Sequence, residues 1–417
     1  MIYCFCLKYD IQITRQEPGM KVLFYRYNSI IEPDILAAFQ EIGLDCDTFD
    51  LEMTEKNLSP SELILRFGRY LLDHPADFVF SVNFFPYVSE ICEKFHLRYI
   101  SWTVDSPVME LFTSSIQNSW NRTFLFDRAQ YDEIHPLNPN CVFHLPLGAR
   151  TQPKDQLFQR TSAACRKKFS HEIAFVGSLY SEKSPYDKVQ NLPPQVRGYL
   201  DGIMRAQENV YGYYFIDELL TDDIISTFAE CHPSFYRLPE SSFLTDRITL
   251  SQLYIGNKIT AMEREDTFRT LGSHFHVSIY TGSDTSRLPV ENLGHAMSLT
   301  EMPVIFHESK ININTTSKAI RTGLPLRIFD ILSAGGFVLS NYQSEIPELF
   351  TPGQDLAVYT SMEEMVDLCH YYLEHESIRR EIAEQGRRTL MERYSMEAVL
   401  SRMLLSAFQD AEQGESS

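Results

Sequence analysis

Apolar positions along this chain switch repeatedly between short continuous runs and a three-to-four-residue spacing, a rhythm that predicts alternating strands and helices. The run KVLFYRY (21–27) reads as a strand covered on both faces. After it, Ile31, Ile35, Leu36, Phe39 and Ile42 recur at helical spacing, with Gly43 as the stop. DCDTFDL (45–51), DFVFSVN (77–83), RYISWTV (98–104), NRTFLFD (121–127) and CVFHLPLG (141–148) repeat the strand pattern. Between them, Ser59-Pro60 opens a helix whose inner face is Leu63, Phe67, Tyr70 and Leu71. Such a β-α-β-α succession implies a parallel sheet with helices on both faces, here over residues 21–150.

Residues 151–170 turn polar and carry the basic run Arg166-Lys167-Lys168, the pattern of an interdomain linker. A second α/β unit begins with the strand HEIAFVGSLY (171–180); residues 185–255 read as helical. HFHVSIYTG (274–282), MPVIFH (302–307), FVLSN (337–341) and DLAVYTS (355–361) are the next expected strands. LRIFDILSAGG (326–336) is a helix closed by glycines, and helices over 344–350, 362–374, 376–393 and 395–409 complete the chain. The expected division is an N-terminal extension (1–20), a first Rossmann-like domain (21–165), a second (166–394), and a C-terminal helix with an acidic tail (395–417). Met20 reads as a natural start, with residues 1–19 as an appendage lacking the charged start and apolar stretch of a signal peptide.

Composition narrows the function. The chain carries 37 Lys and Arg against 56 Asp and Glu, a net charge of -19, which repels nucleic acid and anionic membrane and leaves room for a small anion in a locally basic cleft. Apart from Cys4 and Cys6, the cysteines stand singly and form no CxxC pair, so a cytoplasmic protein with reduced thiols and no zinc site is expected. No apolar run of membrane-spanning length occurs, so no membrane span is expected.

Open parallel sheets bind ligands beyond the carboxyl ends of their strands, so residues that directly follow strands are the candidates. Gly177-Ser178 ends one strand; its bare backbone could admit a phosphate, or it is a plain turn. Gly282, in IYTGSDT, allows the same two readings. The stretch 307–341 brings together Lys310, Asn314, Arg321 and Arg327, the fixed cations and amides a diphosphate needs. Asp330, placed in the first turn of its helix, could accept two ribose hydroxyls or simply favour the helix N-terminus. In the first domain Asp105 could serve as a general base toward an acceptor hydroxyl, or Asp105-Ser106-Pro107 could cap a helix. Asn83 and Trp102 follow or end strands of that domain and are candidate acceptor contacts.

The segment IRTGLPLRIFDILSAGGFVLSNYQSEIPELFTPGQDLAVYTSMEEM resembles the C-terminal part of GT-B glycosyltransferases, in particular the spore-maturation CgeB-type family; YISWTVDSPV (99–108) and FLFDRAQ (124–130) are similar to the domain that accompanies it. The resemblance covers most of residues 21–400. It implies two Rossmann-like domains facing across a cleft and a hexosyltransferase that moves a sugar from a nucleoside diphosphate sugar, with uridine as base, to an unknown glycan, protein or small-molecule acceptor. It implies no cofactor and no metal. In related retaining enzymes two acidic residues eight positions apart frame the donor. Asp330 matches the second, with Gly335 in the following turn, whereas the first falls on Thr322, which supplies no carboxylate. That departure keeps a second reading open, a nucleotide-sugar-binding or regulatory protein without turnover; an epimerase on the same fold is a third.

Overall fold

The computed structural model describes residues 19–409 apart from 56, 57, 183 and 240. Residues 1–18 of the expected N-terminal extension, with Cys4 and Cys6, and residues 410–417 of the expected acidic tail lie outside the described residues. Two six-stranded sheets, parallel throughout, form the frame. The first contains β1 (Lys21–Tyr25), β2 (Asp45–Phe49), β3 (Phe78–Val82), β4 (Arg98–Trp102), β5 (Asn121–Leu125) and β6 (Val142–His144), in the order β2-β1-β3-β4-β5-β6. The second contains β7 (Ile173–Val176), β8 (Val277–Tyr280), β9 (Glu291–Asn292), β10 (Ile311–Asn314), β11 (Val338–Asn341) and β12 (Ala357–Tyr359), in the order β12-β11-β10-β7-β8-β9.

The strand orders place the ligand crevices. In the second sheet the chain runs outward one way from β7 through β8 and β9, and the other way from β10 through β11 and β12. The strand order therefore reverses between β7 and β10, where an open parallel sheet leaves a crevice beyond its carboxyl edge. In the first sheet the reversal lies between β1 and β3.

Central strands buried on both faces explain the apolar runs: Val22, Leu23, Phe24 and Tyr25 are all fully buried. Phe24 meets Phe39 and Phe80 edge-on, with ring centroids 6.4 and 5.0 Å apart, joining helix Glu32–Glu41 to the sheet. Ser59 caps the Pro60–Asp73 helix through a reciprocal pair with Glu62. The last helix, Met396–Phe408, returns to the first domain, where Phe408 packs on Phe78 and Arg122 Nε donates to the Ala407 carbonyl at 3.2 Å.

Three expectations are corrected. MPVIFH is a helix, Met302–Glu308: Pro303 sets the dihedral of its first turn, and Val304, Ile305 and Phe306 pack into the core. The strand falls instead on Ile311–Asn314, whose buried Asn312 and Asn314 interrupt the apolar signature. The supposed linker 151–170 folds into helices Gln152–Arg160 and Ala163–Lys168, the second capped by Ser162, and buries Lys154 and Phe158. Asp330 stands in the second turn of Leu326–Ser333, since that helix begins after Pro325, so the N-terminal charge effect is not its role.

Candidate active site

Both crevices open onto one interdomain cleft with a cavity of about 320 Å³. Ser29, Ile30, Val104, Asp105 and Ser106 form its wall on the first domain. Opposite stand Gly177, Ser178 and Tyr180 after β7, Asn314, Thr315 and Ser317 at and after the end of β10, and Arg264, Arg327 and Asp330 from two helices.

Asp105 does not cap a helix; the next helical turn, Met109–Phe112, has Val108 at its capping position. Its carboxylate is fixed instead by Asn83, whose Nδ2 donates to Asp105 Oδ2 at 2.8 Å and to Tyr27 Oη at 2.9 Å. The Asn83 oxygen accepts from the Val104 backbone at 3.0 Å. Asn83 holds a left-handed backbone with φ 58°, a conformation asparagine tolerates better than most residues. Its polar atoms are thus taken up by the protein, and it supports Asp105 rather than facing the cleft alone. Burial pushes the Tyr27 hydroxyl up to about 12, so it stays protonated beside these groups.

Arg264 projects from the Gly256–His274 helix between the two strand-end loops. It donates to the Ser178 carbonyl and, at 2.7 Å, to the Thr315 carbonyl, and its guanidinium lies 4.6 Å from the Tyr180 ring centroid. Arg327 sits over Phe306 at 5.4 Å. Arg264 and Arg327 are each half-buried on the cleft wall, and that burial lowers the pKa of both guanidiniums, an effect a bound anion would oppose. Asp330 Oδ1 lies 3.7 Å from Lys154 Nζ and borders both this cavity and a smaller recess of about 60 Å³. Ile30, Leu299, Met302, Leu326 and Met396 wall that recess, with Asp34 and Arg150 among its polar groups.

The structure thus gathers Asp105, Gly177, Ser178, Asn314, Arg327 and Asp330 in the cleft, with Asn83 behind Asp105. Five expected site residues lie elsewhere. Trp102 is fully buried within β4 and reaches no acceptor. A side chain at Gly282 would strike the His295 ring, so that glycine serves a close approach. Lys310 is at the opposite, amino-terminal end of β10, 3.9 Å from Glu172. Gly335 turns the chain out of its helix with φ 72°, near Arg387 and His307. Arg321 turns away from the cleft to pair with Glu133 at 2.8 Å. Arg264 was hidden in the sequence because MEREDTFR reads as an ordinary charged helix face, and Lys154 because its segment reads as a linker.

No group of three or more His, Cys, Asp or Glu side chains suited to a metal occurs among the described residues. No helix among them is long and apolar enough to cross a membrane.

Residues 259–404, the stretch that holds Arg264, Arg327 and Asp330, match a family model described as glycosyl transferase-like. No curated protein matches the sequence. Solved structures with the same architecture include HepE of Anabaena in complex with UDP and glucose, at 10% identity and TM-score 0.50, covering 93% of this chain and 99% of that one. A glycosyltransferase from Rickettsia africae superimposes at 9% identity and TM-score 0.52, covering 95% and 100%. The sucrose-phosphate synthase of Thermosynechococcus elongatus does so at 9% identity and TM-score 0.51, covering 93% and 100%. At these identities the likeness establishes the fold: two parallel α/β domains across a cleft, the GT-B architecture.

Proposed function

We propose that the protein is a glycosyltransferase that moves a sugar from a nucleoside diphosphate sugar to an acceptor hydroxyl. The observation that carries this is the pairing, across one cleft, of two half-buried arginines from the second domain with a held carboxylate from the first. The diphosphate lies between Arg264, Arg327 and the Gly177-Ser178 backbone; Asp330 takes the ribose hydroxyls, and the base enters the adjoining recess. Asp105 removes the acceptor proton as the acceptor oxygen attacks the anomeric carbon. The bond from that carbon to the phosphate oxygen breaks, and the nucleoside diphosphate leaves with its charge met by the two arginines. Domain approach excludes water and aligns the reactants.

Uridine as the base is supported by the shared fold of HepE, solved with UDP and glucose. Membership of the CgeB-type family is supported by the motifs of residues 320–365, and a cytoplasmic setting by the six cysteines among the described residues, which form no disulfide. A division into two domains is supported by the two sheets, the first ending at His144 and the second starting at Ile173, with the last helix seated on the first domain; the expected boundary at 165 falls within the Ala163–Lys168 helix.

The test is a panel of uridine, guanosine and deoxythymidine diphosphate sugars, followed by product analysis with and without acceptors. Release of one nucleoside diphosphate with a new glycoside is expected; no binding and no consumption across the panel overturns the reading. One observation favours a binding protein without turnover: the Thr322 hydroxyl is occupied by Asp127 and presents nothing to the cleft. Binding without product selects that alternative.

A further inference from the structure

Asp127 follows β5 in the first domain, is completely buried, and accepts five hydrogen bonds. Its Oδ1 receives the Thr322 backbone N–H at 3.1 Å, the Thr322 hydroxyl at 2.7 Å and the Gly323 N–H at 3.1 Å. Its Oδ2 receives the Arg321 N–H at 3.2 Å and the Ser106 hydroxyl at 2.6 Å. Three consecutive amides of one domain therefore converge on a single carboxylate of the other. The Thr322 oxygen in turn accepts from the Ala129 N–H at 2.9 Å, so the contact is made in both directions.

What this carboxylate joins gives it a role. Residues 315–325 link β10 to the Leu326–Ser333 helix; Ile320 and Pro325 in this loop line the cleft, while Arg321 to Gly323 face Asp127. Ser106 adjoins Asp105. One buried group thus ties the loop that leads to Arg327 and Asp330 to the segment that carries the candidate base. The flanking pairs lock the same seam: Glu133 with Arg321 and Gln252, and Glu345 with the Arg128 N–H and His144.

We infer that Asp127 is a positioning residue for the transfer reaction, fixing the distance between the acceptor side and the donor side without touching either substrate. This rests on the transferase reading of the cleft. It also explains the hydroxyl of Thr322, which docks the loop to the first domain.

The test compares Asp127→Asn, Thr322→Val and Thr322→Ser in the full chain, using amide hydrogen exchange at residues 321–323 together with steady-state kinetics. Asp127→Asn turns a donor toward donated amides, so exchange there should quicken by about tenfold or more while the β-sheet amides hold. kcat should fall by about tenfold or more with the KM for sugar nucleotide nearly unchanged, because binding groups stay in place while alignment is lost. Thr322→Val should move the same readouts in the same direction by less, and Thr322→Ser should restore them. Unchanged exchange at 321–323 overturns the anchoring role, and quickened exchange with wild-type kcat overturns the positioning role. Should the wild type turn over no sugar nucleotide, the transferase reading and with it the kinetic role fall, while the exchange comparison still decides whether Asp127 holds the loop.

Discussion

Arg264 donates to the carbonyl of Thr315 at 2.7 Å, so one cation from a helix that reads as ordinary surface joins the loop after β10 to the loop after β7. A lysine keeps the charge but loses the planar fork that reaches both carbonyls and the ligand together. Arg264→Lys should therefore weaken nucleoside diphosphate binding by about 10- to 100-fold, the loss of one or two charge-assisted hydrogen bonds. Calorimetric titration with uridine diphosphate checks this. An unchanged affinity would remove Arg264 from the diphosphate site.

The Asp105 carboxylate is held at 2.8 Å by an asparagine that is itself locked by Tyr27 and Val104. Asp105→Asn preserves the shape and removes the proton acceptor. kcat should drop by about 10²–10⁴-fold, while the nucleotide dissociation constant stays within error. Asn83→Ala should produce a smaller fall of the same kind, since it frees the carboxylate without deleting it. Equal losses in kcat and in nucleotide affinity for Asp105→Asn would instead mark a structural residue.

Most strands of both sheets were legible because residues such as Val22 to Tyr25 and Phe78 to Phe80 are buried on both faces and apolar, whereas β9, two exposed polar residues at the sheet edge, carries no such signal. β10 was not legible either: its run is broken by two buried asparagines, whose Nδ2 groups donate to the Phe306 and Phe337 carbonyls from Asn312 and to the Thr316 and Ser340 hydroxyls from Asn314. Asp105, Arg327 and Asp330 were legible as residues near strand ends or in the basic segment after them. Arg321 was misplaced for a related reason: it shares that basic segment, but its partner, Glu133, lies 188 residues away in another domain, where no local spacing points. Asp127 was invisible as a site residue because its partners are backbone amides, which sequence cannot single out.

At Gly323 the backbones of the two domains are in tight contact. A Cβ there would lie 2.8 Å from the Asp127 Cα and 3.0 Å from the Phe126 carbonyl oxygen, both backbone contacts that cannot rotate away. Gly323→Ala should destabilise the protein by about 1–3 kcal/mol through overpacking and widen the cleft. Thermal unfolding measures the first effect, and small-angle scattering the second. A variant with wild-type melting and dimensions would show that the seam has slack at this point.

Asp34 supplies a test in pH. It borders the small recess with Lys154, Arg150 and Asp330, and burial raises its pKa above the ordinary 3.8 despite the attraction of the two cations, with Asp330 and Glu397 adding to the rise. An acid whose folded pKa is raised binds its proton more tightly in the folded state than in the unfolded one. Its contribution to stability is therefore complete below 3.8 and is lost as pH climbs through the folded value. Asp34→Asn removes that loss, so the variant should melt above the wild type at neutral pH, with the gap closing on acidification toward 3.8. The same proton removes a negative charge from the recess next to Asp330. Nucleoside diphosphate affinity should accordingly rise on mild acidification in the wild type more than in Asp34→Asn, whose own profile reports the titration of the phosphate. Parallel profiles for the two proteins would show that the bound nucleotide does not sense Asp34, and would move the base out of this recess.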